Sequence, residues 1–161
     1  MQSFSPDSRL WIYQANRTFS ARELSLLKTQ LSDFTRQWTA HDNQLHAGSD
    51  VRYDQFIFLY VDETHAGASG CSIDKSVKIM HAIEDEFGVA LFDRFSMAYR
   101  DENGEIRTVS RAEFEELILQ GKIHGDTIVF NNLVQTLKEA DSNWEIPFAK
   151  SWHPRIFSLP V

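Results

Sequence analysis

Gln55-Phe56-Ile57-Phe58-Leu59-Tyr60-Val61 is an unbroken β-favouring run, and its reading decides the rest of the chain. A strand with one face in water alternates apolar and polar residues, whereas a run that stays apolar at nearly every position suits a strand covered on both faces. Such a strand needs covering layers, and two amphipathic segments flank it. Before it, Leu24, Leu27, Leu31, Phe34 and Trp38 recur at steps of three and four, one stripe of a helix over 21–40. Ser20 stands three residues before Glu23 and Phe19 five before Leu24, a capping box with a hydrophobic staple, so that helix begins at Ala21. After it, Ile73, Val77, Met80, Ile83 and Phe87 trace a second stripe, with Ser72 as N-cap and Gly88 as C-terminal stop.

Working outward, Leu10-Trp11-Ile12-Tyr13 reads as a buried strand followed by a polar loop over 14–20. Residues 44–53 alternate well enough for a half-buried strand interrupted near Gly48. Residues 91–94 read as a short strand or a link. Phe95-Ser96-Met97-Ala98-Tyr99 and Ile106-Arg107-Thr108-Val109 flank Asp101-Glu102-Asn103-Gly104, a hairpin turning at Asn-Gly. Ser110 before Glu113 repeats the capping signature for a helix over 111–120 that ends at Gly121. A strand over 127–130, a short helix over 132–140 and an irregular arm carrying Trp144, Ile146, Phe148, Trp152 and Phe157 complete the chain.

The order strand, helix, strand, strand, helix predicts an α+β fold: one globular domain over 1–161 with a split βαβ, ferredoxin-like core of mixed sheet and two main helices, elaborated after residue 95. On that topology the first and third strands are expected adjacent and parallel, which brings loop 14–20 beside loop 62–72 at their carboxyl ends.

Composition narrows the function. At 161 residues and 42% hydrophobic, the chain is long enough to bury a core without staples. Its single cysteine, Cys71, excludes an intramolecular disulfide and a zinc site built on several cysteines, and fits a reducing, cytoplasmic setting. The N-terminal residues lack the pattern of a signal peptide, and no apolar run approaches the ~20 residues of a spanning helix, so membrane insertion is not expected. Sixteen basic against 23 acidic residues leave a net charge of −7, which argues against a broad nucleic-acid surface.

The stretches Trp11-Ile12-Tyr13-Gln14, Trp38-Thr39-Ala40-His41, Ser69-Gly70-Cys71-Ser72-Ile73-Asp74, Ile128-Val129-Phe130-Asn131-Asn132-Leu133 and Ser151-Trp152-His153 resemble a family of short uncharacterised bacterial proteins that often carry the label ABC transporter ATPase. The resemblance spans almost the whole chain. The label implies nucleotide hydrolysis, which needs a Gly-rich loop ending in Lys-Ser/Thr to cradle phosphate and hold magnesium. Gly121-Lys122 is followed by Ile123, and Gly67-Ala68-Ser69-Gly70-Cys71 has no lysine, so that activity is not expected. Phe58-Leu59-Tyr60-Val61-Asp62-Glu63 is similar to the apolar strand and acidic pair that hold magnesium through water, a pattern that ordinary strands also show.

The most concentrated local chemistry is Ser69-Gly70-Cys71-Ser72 at a helix start, where unpaired N–H groups and the helix dipole favour an anion. Arg17, on the loop expected nearby, would complete such a pocket with a fork of donors. The first expectation is therefore a small binding or regulatory module whose site is Arg17, Ser69, Gly70 and Ser72, and whose partner is a small anion or a protein. The alternative is a thiol-dependent enzyme with Cys71 as nucleophile, His65 as the nearest base in sequence, His41 or His153 reaching it through the fold, and Asp74 orienting the base. A third reading uses the arm over 144–161 as an adaptor surface. Asp62-Glu63-x-His65 and His41-Asp42-x-x-x-His46 supply metal ligands without a metal-site spacing, so no metal or other cofactor is expected.

Overall fold

The run read as a central strand occupies the middle of a sheet. The computed structural model describes residues 3–160. Met1 and Gln2, part of the N-terminal stretch read for a signal peptide, and Val161, the end of the predicted arm, lie outside them. Contacts group the chain into two compact units, Met1–Phe92 with Gln135–Lys138, and Asp93–Val134 with Glu139–Val161. The architecture is α+β, with four α-helices and three small antiparallel sheets among the described residues.

In the first unit, β1 (Arg9–Gln14) leads into α1 (Ala21–Gln37). A hairpin of β2 (Thr39–Ala40) and β3 (Asn43–Gln44) follows, then β4 (His46–Arg52), β5 (Phe56–Asp62) and α2 (Gly70–Phe87). The sheet order is β1-β5-β4. β5 is antiparallel to both neighbours, in register from Arg9↔Val61 to Gln14↔Phe56 on one side and from His46↔Asp62 to Arg52↔Phe56 on the other. The first and third main strands are thus adjacent as expected, but the parallel sense is corrected. The short turn after β4 reverses the chain, while α1 carries it from β1 to β4 in the same sense, so β5 between them must oppose both. Loops 14–20 and 62–72 consequently leave opposite ends of the sheet.

Phe56, Ile57, Phe58, Leu59 and Val61 are fully buried, as a two-faced strand requires. Leu27, Leu31, Met80 and Ile83 from the two helical stripes join Ile57, Leu59 and Val61 in one core. At the far edge of β1 the chain returns: Leu10 N–H donates to the Gln135 carbonyl (2.9 Å) and Leu137 N–H to the Ser8 carbonyl (3.1 Å), around an antiparallel bridge of Arg9 and Thr136. No strand among the described residues pairs with the outer edge of β4.

Two boundaries differ from expectation. α1 stops at Gln37 rather than reaching 40, because Trp38 turns extended (ψ 122°) and sends its indole N–H to the Ser72 carbonyl (2.8 Å). The next residues then close the β2–β3 hairpin through His41 and Asp42, at φ 50° and 63°. β4 also runs through Gly48 without interruption. A Cβ there would lie 2.5 Å from the Tyr60 ring and 2.9 Å from that of Phe4, so the glycine lets two aromatic rings lie against the strand.

The second unit holds a sheet of order β7-β6-β8-β9. β6 (Ser96–Arg100) and β7 (Ile106–Ser110) form the predicted hairpin, and Gly104 supplies its positive φ of 78°. Ser110 caps α3 (Arg111–Leu119), and Gly121 at φ 72° follows it. β8 (Ile128–Phe130) precedes α4 (Leu137–Asn143), which starts five residues later than predicted. The expected irregular arm begins with β9 (Glu145–Pro147) and continues through 3-10 turns Phe148–Lys150 and His153–Arg155. Residues 91–94 form no strand.

Candidate functional site

At the start of α2, Ser69 rather than Ser72 is the N-cap. Ser69 Oγ accepts from Ser72 N–H (3.2 Å), while Ser72 Oγ accepts from Ser69 N–H (2.6 Å) and donates to the Ser69 carbonyl (2.8 Å). Ser72 is 1% exposed. Both hydroxyls are therefore spent on closing the helix end, as in a capping box. The carboxylate of Glu63 accepts from Ala68 N–H (2.9 Å), setting negative charge beside the turn. Gly70 has open space around its Cα, so no close approach demands a glycine there.

Arg17 is not beside this turn. Its guanidinium grips both oxygens of Glu23 (2.8 and 2.9 Å) and donates to the Phe87 carbonyl (2.5 Å) at the other end of α2. Eighteen helical residues, about 27 Å, separate the two ends. The same ion pair, with the Ser20 N–H, holds the Glu23 carboxyl down at about 2. Arg17 thus closes a helix C-terminus, where a cation complements exposed carbonyls. The pocket of Arg17 with Ser69, Gly70 and Ser72 is corrected accordingly, because its prediction depended on parallel strands.

Cys71 is exposed on the first turn of α2, and His65 is exposed on the loop before it. Neither side chain makes a hydrogen bond with the other or with any imidazole, carboxylate or amide among the described residues. His41 sits on the β2–β3 turn, Asp74 is exposed, and His153 belongs to the second unit's core. The structure does join His46 and Asp62, which face each other across β4 and β5. Each is engaged: His46 stacks on Phe4 (4.3 Å between centroids) and bonds the Ser3 carbonyl (2.9 Å), while Asp62 accepts from Ser5 N–H (3.1 Å) and from Thr64. The Thr64 and Ser5 bonds hold the Asp62 carboxyl below its usual range. No group of three or more His, Cys, Asp or Glu among the described residues is placed to hold a metal.

A different place in the first unit has the form of a binding site. Between α1 and β4 lies a groove of about 610 Å³, continued by a second of about 320 Å³ through the shared walls Thr35, Arg36 and Ala47. α1 builds one wall because its buried positions Leu27, Leu31 and Thr35 face inward, which leaves Lys28, Ser32 and Arg36 on the rim. β4 builds the other wall. Phe4 and Tyr60 add to its lining, packed edge to face at 4.8 Å over Gly48. Lys28 makes no ion pair among the described residues, and the hydroxyls of Ser32 and Ser49 have no hydrogen-bond partner there. Arg36 pairs with Asp33, and Asp50 is held by Val51 N–H (2.9 Å) and Arg52 (3.2 Å). Burial and the charge of Asp50 raise the Tyr60 phenol, which stays a donor at neutral pH.

Sequence reasoning passed over this groove because only the apolar stripe of the helix carries a periodic signal, and polar neighbours such as Lys28, Ser32 and Arg36 do not differ from those of any amphipathic helix. The available signal was Gly48 inside a strand pattern, which marks close approach of another group. No helix among the described residues is long and apolar enough to cross a membrane. No protein family, curated protein or solved structure matches the chain.

Proposed function

We propose that the chain is a binding module whose ligand lies in the groove between α1 and β4 and carries a negative group toward Lys28. The observation that carries this reading is a volume of about 610 Å³ flanked by a lysine with no ion pair and hydroxyls with no hydrogen-bond partner among the described residues. Donors without protein partners are what a polar ligand satisfies on binding. The start of α2 supports such a role less well, since its hydroxyls bond each other. The thiol-enzyme reading draws on the exposure of Cys71 but has no base among the described residues in hydrogen-bond reach of the sulfur.

The ferredoxin-like reading of the first unit is kept as part of this proposal. It is supported by the strand order β1-β5-β4, with β1 and β4 in one sense and β5 opposed, and by the bridge of Thr136 to Arg9 at the far edge of β1. The resemblance to the short bacterial proteins is kept as well, without nucleotide hydrolysis: Gly121-Lys122 follows α3 instead of leading into a helix.

The test is a titration of the ¹⁵N-labelled chain with N-acetylglutamate, followed by amide shifts. Shifts confined to 28–36 and 44–51, lost in Lys28→Glu and unchanged in Cys71→Ser, support the groove. Shifts confined to 69–72, or dependence on Cys71, return the site to the start of α2 and overturn it.

A further inference from the structure

We infer that the ligand of this groove is an extended acidic peptide that adds itself to the sheet along β4, an inference that rests on the groove being the binding site. Successive residues of a strand point to opposite faces, so a cavity on one face touches only every second residue. Here Ala47, Gly48, Ser49, Asp50 and Val51 all line the larger cavity, and Gln44, Leu45, His46 and Ala47 the smaller. A volume that meets both faces of consecutive residues lies along the side of the strand, where the next strand of the sheet would stand. β4 is the last strand of its sheet, and such an edge presents a row of backbone donors and acceptors. The edge along the larger cavity runs from 47 to 51, about 16 Å, enough for a five-residue segment; before it the Trp38 carbonyl already holds Leu45 N–H (3.0 Å), and at its end Asp50 holds Val51 N–H (2.9 Å). The opposite edge of the same sheet is already completed in this manner by residues 135–137, bonded to β1 at 2.9 and 3.1 Å.

Charge selects the class of peptide. Lys28 and Arg36 lie eight residues apart on α1, about 12 Å along its axis. Residues i and i+4 of a strand share a face and stand about 13 Å apart, so acidic side chains at that spacing reach Lys28, which makes no ion pair among the described residues, and Arg36, where they compete with Asp33. Residues pointing the other way meet the rings of Phe4 and Tyr60, which favour apolar side chains. Recognition by strand addition draws affinity from main-chain bonds and selectivity from such alternate side-chain contacts.

The experiment uses the full ¹⁵N-labelled chain with four peptides: acetyl-Glu-Val-Thr-Val-Glu-amide, the same peptide with lysine for glutamate, and two copies N-methylated at alternate residues to remove donors on one side or the other. The acidic peptide is expected to shift amides in 47–51 and to slow their hydrogen exchange about tenfold. One N-methylated copy is expected to bind at least about tenfold more weakly, as are the lysine peptide and the variant Lys28→Glu. Equal binding of both N-methylated copies and the parent, or N-acetylglutamate matching the peptide, overturns strand addition and leaves the groove as a small-anion site. Silence from both peptide and N-acetylglutamate removes the groove reading itself. Slowed exchange in β4 on concentrating the protein alone makes a second copy of the chain the occupant and overturns the peptide.

Discussion

The first unit gathers Leu27, Leu31, Met80 and Ile83 from two long helices onto a three-stranded sheet, whereas the second clusters Phe114, Phe148, Phe157 and the imidazole of His153 among short strands and 3-10 turns. The difference is one of chemistry as well as shape. Aliphatic stripes are buried by many weak, non-directional contacts, so their pattern recurs along the helix and their cost on removal is spread over the core. The aromatic cluster is held by a few large rings at defined angles, with Phe114 and Phe157 at 4.9 Å and Trp152 stacked on His153 at 3.9 Å. It also encloses an imidazole, which the first unit's core does not.

The largest expected effect strikes the aromatic cluster. Phe114 is fully buried and contacts the rings of Tyr99, Phe148, His153 and Phe157. Phe114→Ala should cost about 3–5 kcal/mol, seen as a lower urea midpoint and faster exchange of β6 and β8 amides. A loss under 1 kcal/mol would show that the rings do not act as a single packed centre.

Acid should separate the units next. Burial holds the His153 imidazole down at about 4, against about 6.5 for an unfolded chain. Between those values the unfolded chain binds a proton that the folded one refuses, so stability is full above pH 6.5 and falls as the pH drops toward 4. The loss should approach about 3 kcal/mol, read from urea midpoints across that range. His153→Gln should flatten this limb; an unchanged slope would reject the assignment. The first unit's lowered carboxyls, Glu23 and Asp62, contribute above their unfolded values and lose that contribution only in more acidic solution.

Gly48→Ala tests the first unit's own aromatic contact. Its Cβ would meet the Tyr60 and Phe4 rings at 2.5 and 2.9 Å, so both rings must shift, at a cost of about 1–3 kcal/mol. The Phe4–His46 stack should weaken, visible in the ring-shifted imidazole signals. Retention of those signals at unchanged stability would show that the rings give way freely. The smallest effect is a gain: His41 and Asp42 hold left-handed backbone, so His41→Asn with Asp42→Gly should stabilise the chain by roughly 1 kcal/mol. A drop in melting temperature would mean that these side chains contribute contacts that outweigh the backbone strain.

Much of the first unit was legible because its signals are local and repeated. Ser20 with Glu23 places the start of α1 to the residue, and the stripe through Leu27 and Leu31 names its buried face. The turn at Gly104 and the cap at Ser110 were equally readable in the second unit. The β2–β3 hairpin was not, since His41-Asp42 lacks the glycine that announces a left-handed turn. The candidate site was less legible still: Arg17, Ser69, Gly70 and Ser72 were joined only through an assumed strand direction.

Composition, periodicity and capping chemistry by themselves determined an α+β chain, its long helices and its buried central strand, because each depends on residues within a few positions of one another. Strand sense, the return of residues 135–137 to β1, the free edge of β4 and the groove beside it were decided only by tertiary structure. Those features depend on which distant segments pair, and a polar rim such as Lys28, Ser32 and Arg36 looks the same in sequence whether it faces open water or a binding groove.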